Sequence, residues 1–444
     1  MTQHLILLSV PGLRPGDVHD PQLTPTLYEL AHRGETRQLI PTFPCVTSTV
    51  QASMMTGLPP NEHGVIANGF YYPDRQTVEF WVGRHNVIER PSIFARLRER
   101  RPEITSAAWH LQNIKDADAT YIVTPAPIHE PDGTTKLWCY SKPEGLYEEL
   151  LAPLGHFPLQ HYWGPLANIQ STRWICEGAL WLARQHAPIF QYVYIPHLDY
   201  AAQKYGPNSR EAATALAELD KVLGDFMERH NQLPHGPSTR WLIAGEYALT
   251  DVNGAIYPNR ILREAGLLKV RVSGGHEYLD LEASDAFAMA DHQFAHVYVN
   301  RGDPERVAEI FARHDDIPDI IVGRERAALH MDHPRSAPVI LVSRPDKWFA
   351  YYWWLDDAAA PPFARTVDIH AKPGYDPVEL FVRMPERDIP LDASLVKGSH
   401  GAPVHAPNQV SLLIASTPEL LRDAPDRVQD TDVYGIVCRA LGVE

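Results

Sequence analysis

Several common features are scarce or absent in this chain. Its four cysteines, Cys45, Cys139, Cys176 and Cys438, are scattered with no CxxC pair, which excludes a zinc knuckle and a disulfide framework. No apolar run approaches the roughly 18 residues of a membrane span, so no membrane partner is expected. Internal repeats and low-complexity segments are missing too. The first residues, Met-Thr-Gln-His-Leu-Ile-Leu-Leu-Ser-Val10, lack a basic segment, and their apolar run is too short for an export signal. A reducing cytoplasm is therefore the expected location. Basic residues are in deficit, 40 Lys and Arg against 55 Asp and Glu, for a net charge of −15. That balance argues against nucleic acid or an anionic membrane surface as partner. An anionic substrate would need a local positive centre, such as a metal ion.

What is present is a soluble globular composition, 44% hydrophobic and 21% charged over 444 residues, enough for one large domain with insertions. Leu5–Val10 and Pro188–Ile195 are continuous apolar runs of the kind buried inside parallel sheets, and Arg240–Gly245 is a third strand. Amphipathic spacing predicts helices over Thr24–Arg33, Ser92–Arg101, Thr172–His186 and Glu211–His230. The fold class read from this alternation is α/β, a mostly parallel central sheet with helices on both faces and a small inserted α+β subdomain. The core occupies residues 1–268 with a cap-like, aromatic-rich insertion at about 69–188. A compact α+β unit spans 269–330, and the chain returns to the core over 331–444, with the main sheet resuming at Val339–Ser343.

One stretch organises the rest: Pro41-Thr-Phe-Pro-Cys-Val-Thr47, running on through Thr56-Gly57 to His63-Gly64. Pro41 and Pro44 keep the first residues out of helix. A helix starts at Thr47 or Ser48, with Thr47 able to cap it, and Gly57 ends it. A hydroxyl at a helix mouth sits among free N–H groups at the positive end of the dipole, which suits a phosphate.

This stretch resembles the nucleotide pyrophosphatase/phosphodiesterase-like branch of the alkaline phosphatase superfamily. The pattern agrees without a gap from Pro41 to Asn68, the asparagine of His63-Gly-Val-Ile-Ala-Asn68. The resemblance implies that Thr47 is the nucleophile and that Asn68 holds a phosphoryl oxygen. It also implies metal ligands past later strands. Asp199 and Gln203, in Asp199-Tyr-Ala-Ala-Gln203-Lys-Tyr-Gly-Pro207, stand where the family has Asp and His. Glu246 and Tyr247 stand where it has Asp and His again, and His400 matches its last histidine. Pro11 stands where the first strand of the family ends in a ligating Asp. A sulfatase is not indicated, because Cys45 lacks the Cys-x-Pro-x-Arg context.

Two metal ions about 3.5–4 Å apart could activate the hydroxyl and neutralise phosphoryl oxygens. With Pro11, Gln203 and Tyr247 in place, two full sites of that type are not expected. Three readings follow. One divalent ion (Zn, Mn or Mg) could be held by Asp199, Glu246 and His400, with Gln203, to support Thr47. A second cation could be rebuilt from Asp368 and His370 or from Asp291 and His292, against the competing reading of structural hydrogen bonding for each pair. Or the cleft could be catalytically inactive and bind an anionic metabolite or a protein partner. The expected function is a metal-dependent phosphodiesterase- or phosphatase-type hydrolase or phosphotransferase acting on a small, anionic, phosphate-containing substrate.

Overall fold

A computed structural model describes residues 3–129 and 135–444. Its main sheet has nine strands: β1 (Leu5–Ser9), β2 (Glu35–Ile40), β3 (Ser106–Trp109), β4 (Tyr121–Pro125), β5 (Cys139–Lys142), β6 (Phe190–Tyr194), β7 (Arg240–Ala244), β8 (Ser411–Ala415) and β9 (Arg427–Gln429). Their spatial order is β9-β2-β8-β7-β1-β6-β3-β4-β5. Every residue of β1, β6 and β8 is buried. Such strands are covered on both faces, which is why they read as unbroken apolar runs. β1 lies between β6 and β7 and is parallel to both. Antiparallel pairing is confined to β8, against β7 and β2, and to β5 against β4. All other strands therefore share one direction, and their carboxyl ends meet along one edge.

The principal helices are α1 (Thr47–Thr56), α2 (Ile169–His186), α3 (His197–Tyr205), α4 (Arg210–Asn231) and α5 (Asp430–Leu441). α2, α3 and α4 form one packed group, and α1 packs on α5. α4 shows how the sequence selects its position. The Ser209 hydroxyl caps its first turn by accepting from the Ala212 N–H, and Leu216, Leu219, Leu223 and Phe226 form one buried stripe. Burying each contributes about 1.5–3 kcal/mol.

Between β7 and β8 the chain builds a second, four-stranded antiparallel sheet from Ala286–Asp291, Phe294–Val299, Asp319–Val322 and Val339–Val342. The strands expected at Ala295–Val299 and Ile317–Val322 are present. Val339–Val342, expected to rejoin the main sheet, instead pairs with Phe294–Val299 and Asp319–Val322. The run Trp348-Phe-Ala-Tyr-Tyr-Trp-Trp354 is wholly buried in the core of this second unit.

Candidate active site

Four turns leave the carboxyl edge of the sheet and converge, as is usual for ligand sites in open α/β sheets. The turn after β1 is tied to the turn after β7 by the Gly12 N–H donating to the Tyr247 carbonyl at 2.9 Å. Gly245 is required there: a Cβ would stand 2.2 Å from Ser411 Oγ and 2.5 Å from the Leu13 carbonyl. The next residue, Glu246, holds φ 53°, a left-handed backbone that costs an ordinary residue about 1–2 kcal/mol.

α1 is buried along its whole length although six of its ten residues are polar. Two of those side chains, Thr47 and Gln51, serve the site. Val46, not Thr47, occupies the N-cap, in extended conformation and with no side-chain cap. Thr47 is thereby released from capping, and its Oγ1 lies 2.9 Å from the Tyr247 hydroxyl and 3.5 Å from the Tyr194 hydroxyl. Gln51 donates to Glu246 Oε1 at 2.9 Å and accepts from the Gln112 N–H. Ser9 also donates to Glu246 Oε1, at 2.5 Å. The other oxygen, Oε2, is buried without a hydrogen-bond partner among the described residues. Burial pushes the Glu246 pKa up to about 8, against the hydrogen bonds from Ser9 and Gln51.

Asn68 accepts from the Ser48 N–H at 3.1 Å. Its own N–H donates to Asp291 Oδ2 at 2.8 Å, and its amide donates to Asp291 Oδ1 at 3.2 Å. Asp291 ends the first strand of the second sheet and lies 2.6 Å from His292 Nδ1. Burial raises its pKa to about 6. His63 fixes the turn after α1, accepting from the Val65 N–H and meeting Ser53 Oγ.

Tyr247 donates to Asp199 Oδ2 at 3.3 Å, and its ring lies flat on His400, centroids 3.7 Å apart. His400 Nδ1 sits 2.7 Å from the Cys45 carbonyl, which can only accept, so Nδ1 carries the proton and Nε2 presents a lone pair. That lone pair faces Asp199 Oδ1 at 4.0 Å, and neither atom has a hydrogen-bond partner among the described residues. Burial raises the Asp199 pKa to about 7 and drives that of His400 well below the usual imidazole range. Gln203 Oε1 is taken by the Tyr375 hydroxyl at 2.6 Å.

These groups open onto a cavity of about 400 Å³ lined by Thr47, Asn68, Asp199, Tyr247 and His292, with aromatic and apolar walls. The sequence pattern of the type I phosphodiesterase / nucleotide pyrophosphatase family matches residues 5–376. The chain belongs to that family. A protein described as an uncharacterized pyrophosphatase/phosphodiesterase of Schizosaccharomyces pombe is 24% identical over 233 residues, covering 50% of this chain. The match spans only 40% of that curated relative's length. Phosphonoacetate hydrolase from Sinorhizobium meliloti 1021, solved with phosphonoformate, superposes with a TM-score of 0.65 at 17% identity, over 99% of this chain and 96% of its own. Murine ectonucleotide pyrophosphatase/phosphodiesterase 5 superposes with a TM-score of 0.64 at 14% identity, over 100% and 96%. The fold of this phosphodiesterase-family chain is thus the alkaline-phosphatase-like α/β fold expected from its sequence.

Enzymes of the type I phosphodiesterase family are typically metal-dependent, so the donor set here can be tested. The described residues contain no group of three or more His, Cys, Asp or Glu side chains placed to hold a metal ion. The two-ion centre does not fit, because Pro11 offers no donor and the Tyr247 hydroxyl sits between Thr47 and Asp199. The facing pair Asp199 Oδ1 and His400 Nε2 are two buried acceptors that no donor among the described residues satisfies, which leaves them open to a single cation. Glu246 does not complete that set, since Ser9 and Gln51 hold its carboxylate beside Thr47. Asp368 is a correction as well: its side chain is exposed and spent on a turn, accepting from the His370 N–H. His370 reaches the cavity lining, but not in company with Asp368. Reasoning from sequence missed Ser9, Gln51, Tyr194 and Tyr375, and it weighed Asp291 and His292 as a metal pair against structural hydrogen bonding. Periodicity carries no signal for them.

Proposed function

We propose that this chain hydrolyses esters of a small phosphorylated metabolite, with Thr47 as the nucleophile. The observation that carries the reading is the Thr47 hydroxyl, buried at the first turn of α1 on the cavity, freed from capping and hydrogen-bonded to the Tyr247 hydroxyl. Supporting it, a threonine-to-alanine form of the murine protein, described as inactive, was solved with AMP.

In the first step Thr47 Oγ1 bonds to phosphorus as the bond to the leaving oxygen breaks. The Thr47 proton passes to Glu246 in its ionised form, which prevails above about pH 8 and whose Oε2 has no hydrogen-bond partner among the described residues. The leaving oxygen takes a proton from solvent. In the second step water attacks phosphorus, Thr47 departs and recovers its proton from Glu246, and the water's surplus proton goes to solvent. The N–H groups of the first turn of α1 favour the phosphoryl oxygens. The Asn68 amide has a second N–H beyond the one given to Asp291, and it donates there. Asp199 and His400 would hold a divalent cation (zinc, manganese and magnesium being equally compatible), which when bound would neutralise charge on the phosphoryl group.

A second reading, an inactive member that binds an anionic metabolite or a protein partner, is favoured by Pro11 and Tyr247, which remove donors. Turnover of bis(4-nitrophenyl) phosphate and of 4-nitrophenyl phosphate separates the two. Thr47→Ala should lower turnover by at least about 10³-fold with an unchanged melting temperature. Undiminished turnover in that variant would refute the assignment of Thr47.

A further inference from the structure

The two hydrolytic steps leave one demand unmet. In a two-ion centre a cation makes the attacking water acidic, and Pro11 and Tyr247 have removed the donors for such a centre. The second step therefore needs a base for its water, and the cavity holds an imidazole that neither step uses.

His292 follows the first strand of the second sheet. It is only 3% exposed, yet it lines the cavity together with Thr47 and Asn68. Both faces of its ring are covered, by Tyr375 at 3.6 Å and by His400 at 3.9 Å between centroids, so its edge is what remains open. On that edge Nδ1 lies 2.6 Å from Asp291 Oδ1. Asp291 already acts as an acceptor on both oxygens, from the Asn68 N–H at Oδ2 and from the Asn68 amide at Oδ1. The ring proton is therefore on Nδ1, and burial keeps the imidazole neutral with a lone pair on Nε2. Among the described residues no hydrogen bond reaches Nε2. A buried carboxylate that orients an imidazole whose far nitrogen is free is an arrangement suited to accepting a proton from a reactant. The same carboxylate holds Asn68, so the amide offered to the phosphoryl oxygen and the imidazole are set in fixed relation.

We propose that His292 is the general base of the second step, with Asp291 as the residue that positions it. As the water oxygen bonds to phosphorus and the bond to Thr47 Oγ1 breaks, one water proton passes to His292 Nε2. Thr47 recovers its own proton from Glu246, and the imidazolium then releases its proton to solvent through the cavity. This role rests on Thr47 being the nucleophile, and the two fail differently. His292→Gly is the diagnostic variant, because the φ of 60° at this position suits glycine and the space it leaves can take imidazole. With 4-nitrophenyl phosphate it should release about one 4-nitrophenolate per chain in a burst and then turn over at least about 100-fold more slowly than the natural chain. Mass spectrometry of the acid-quenched protein should find Thr47 phosphorylated, and imidazole in the buffer should raise the steady rate at least about tenfold. A merely structural role would slow the burst as well and would not respond to imidazole. A folded His292→Gly protein that turns over as fast as the natural chain, or that slows with neither a burst nor phosphorylated Thr47, or that imidazole does not speed, overturns the role of His292 and leaves Thr47 in place. A natural chain that hydrolyses no ester fails at the nucleophile instead, and both assignments fall. If His292→Gly does not fold, the burst and the phosphorylation in His292→Asn, which tolerates the same backbone, decide.

Discussion

Buried neutral histidines should each weaken the fold as pH falls, and for two of them the size of that contribution can be worked out. His110 is fully buried against Phe157 and Trp174, ring centroids 4.6 and 5.8 Å away. Burial lowers its pKa to about 3. His63 is equally buried and also lowered to about 3, by burial first and by the nearby His333 and Arg335. Because the Val65 N–H donates to Nδ1 of His63, protonation there breaks a hydrogen bond. An unfolded imidazole titrates near about 6.5, so between about pH 3 and 6.5 the unfolded chain binds more protons. Stability is full above that window and is lost as pH falls through it. At about pH 5 the linkage amounts to about 2 kcal/mol per histidine, or about 4 kcal/mol for the pair. Against a typical total of about 5–15 kcal/mol that is a large fraction. Glu246, Asp199 and Asp291, whose raised pKa values act in the opposite sense, contribute equally to the natural chain and to His110→Phe, so urea unfolding of both at about pH 8 and about pH 5 isolates the histidine. His110→Phe should gain about 2 kcal/mol at about pH 5 relative to about pH 8 over the natural chain. Any constant cost of placing Phe at the φ of 62° found there cancels in that difference. A His110→Phe protein with the same pH dependence as the natural chain would refute the reasoning.

Leu219, fully buried on α4, should cost about 2–5 kcal/mol as Leu219→Ala in the same urea assay. Gly245→Ala forces a methyl against Ser411 Oγ and the Leu13 carbonyl; a loss of about 1–3 kcal/mol and reduced turnover are expected, and an unchanged unfolding midpoint would contradict the close approach. His400→Ala removes the lone pair facing Asp199, so zinc or manganese retained after gel filtration should fall from about one per chain to background by elemental analysis.

Much of the fold was legible because its central strands are continuous apolar runs. Leu5–Ser9 and Phe190–Tyr194 can be nothing but interior, and the register of turns after them follows. The run Val339–Val342 was misassigned for the same reason: an apolar tetrapeptide fits any buried strand, and only its partner decides which sheet it joins. At the site, Thr47 and Asn68 were visible as spacing within one stretch. Glu246 was visible as a residue past a strand, but its direction was not. Ser9 and Gln51 draw it toward Thr47 and away from His400, and both look like ordinary polar residues until the burial of α1 is known. Asp368 failed because an acid two residues from a histidine is also the signature of a turn.

The segment around His400 accepts a backbone hydrogen bond from Gln293 of the second sheet and, through Gly401, another from Cys45 just ahead of α1. Three regions far apart in the sequence are thus stitched at a single knot, which closes only once residues 400 and 401 have been added. A nascent polypeptide halted before that point would already own its threonine and asparagine, yet the imidazole facing Asp199 would be missing. Competence for chemistry should therefore arrive only after His400 has joined the chain.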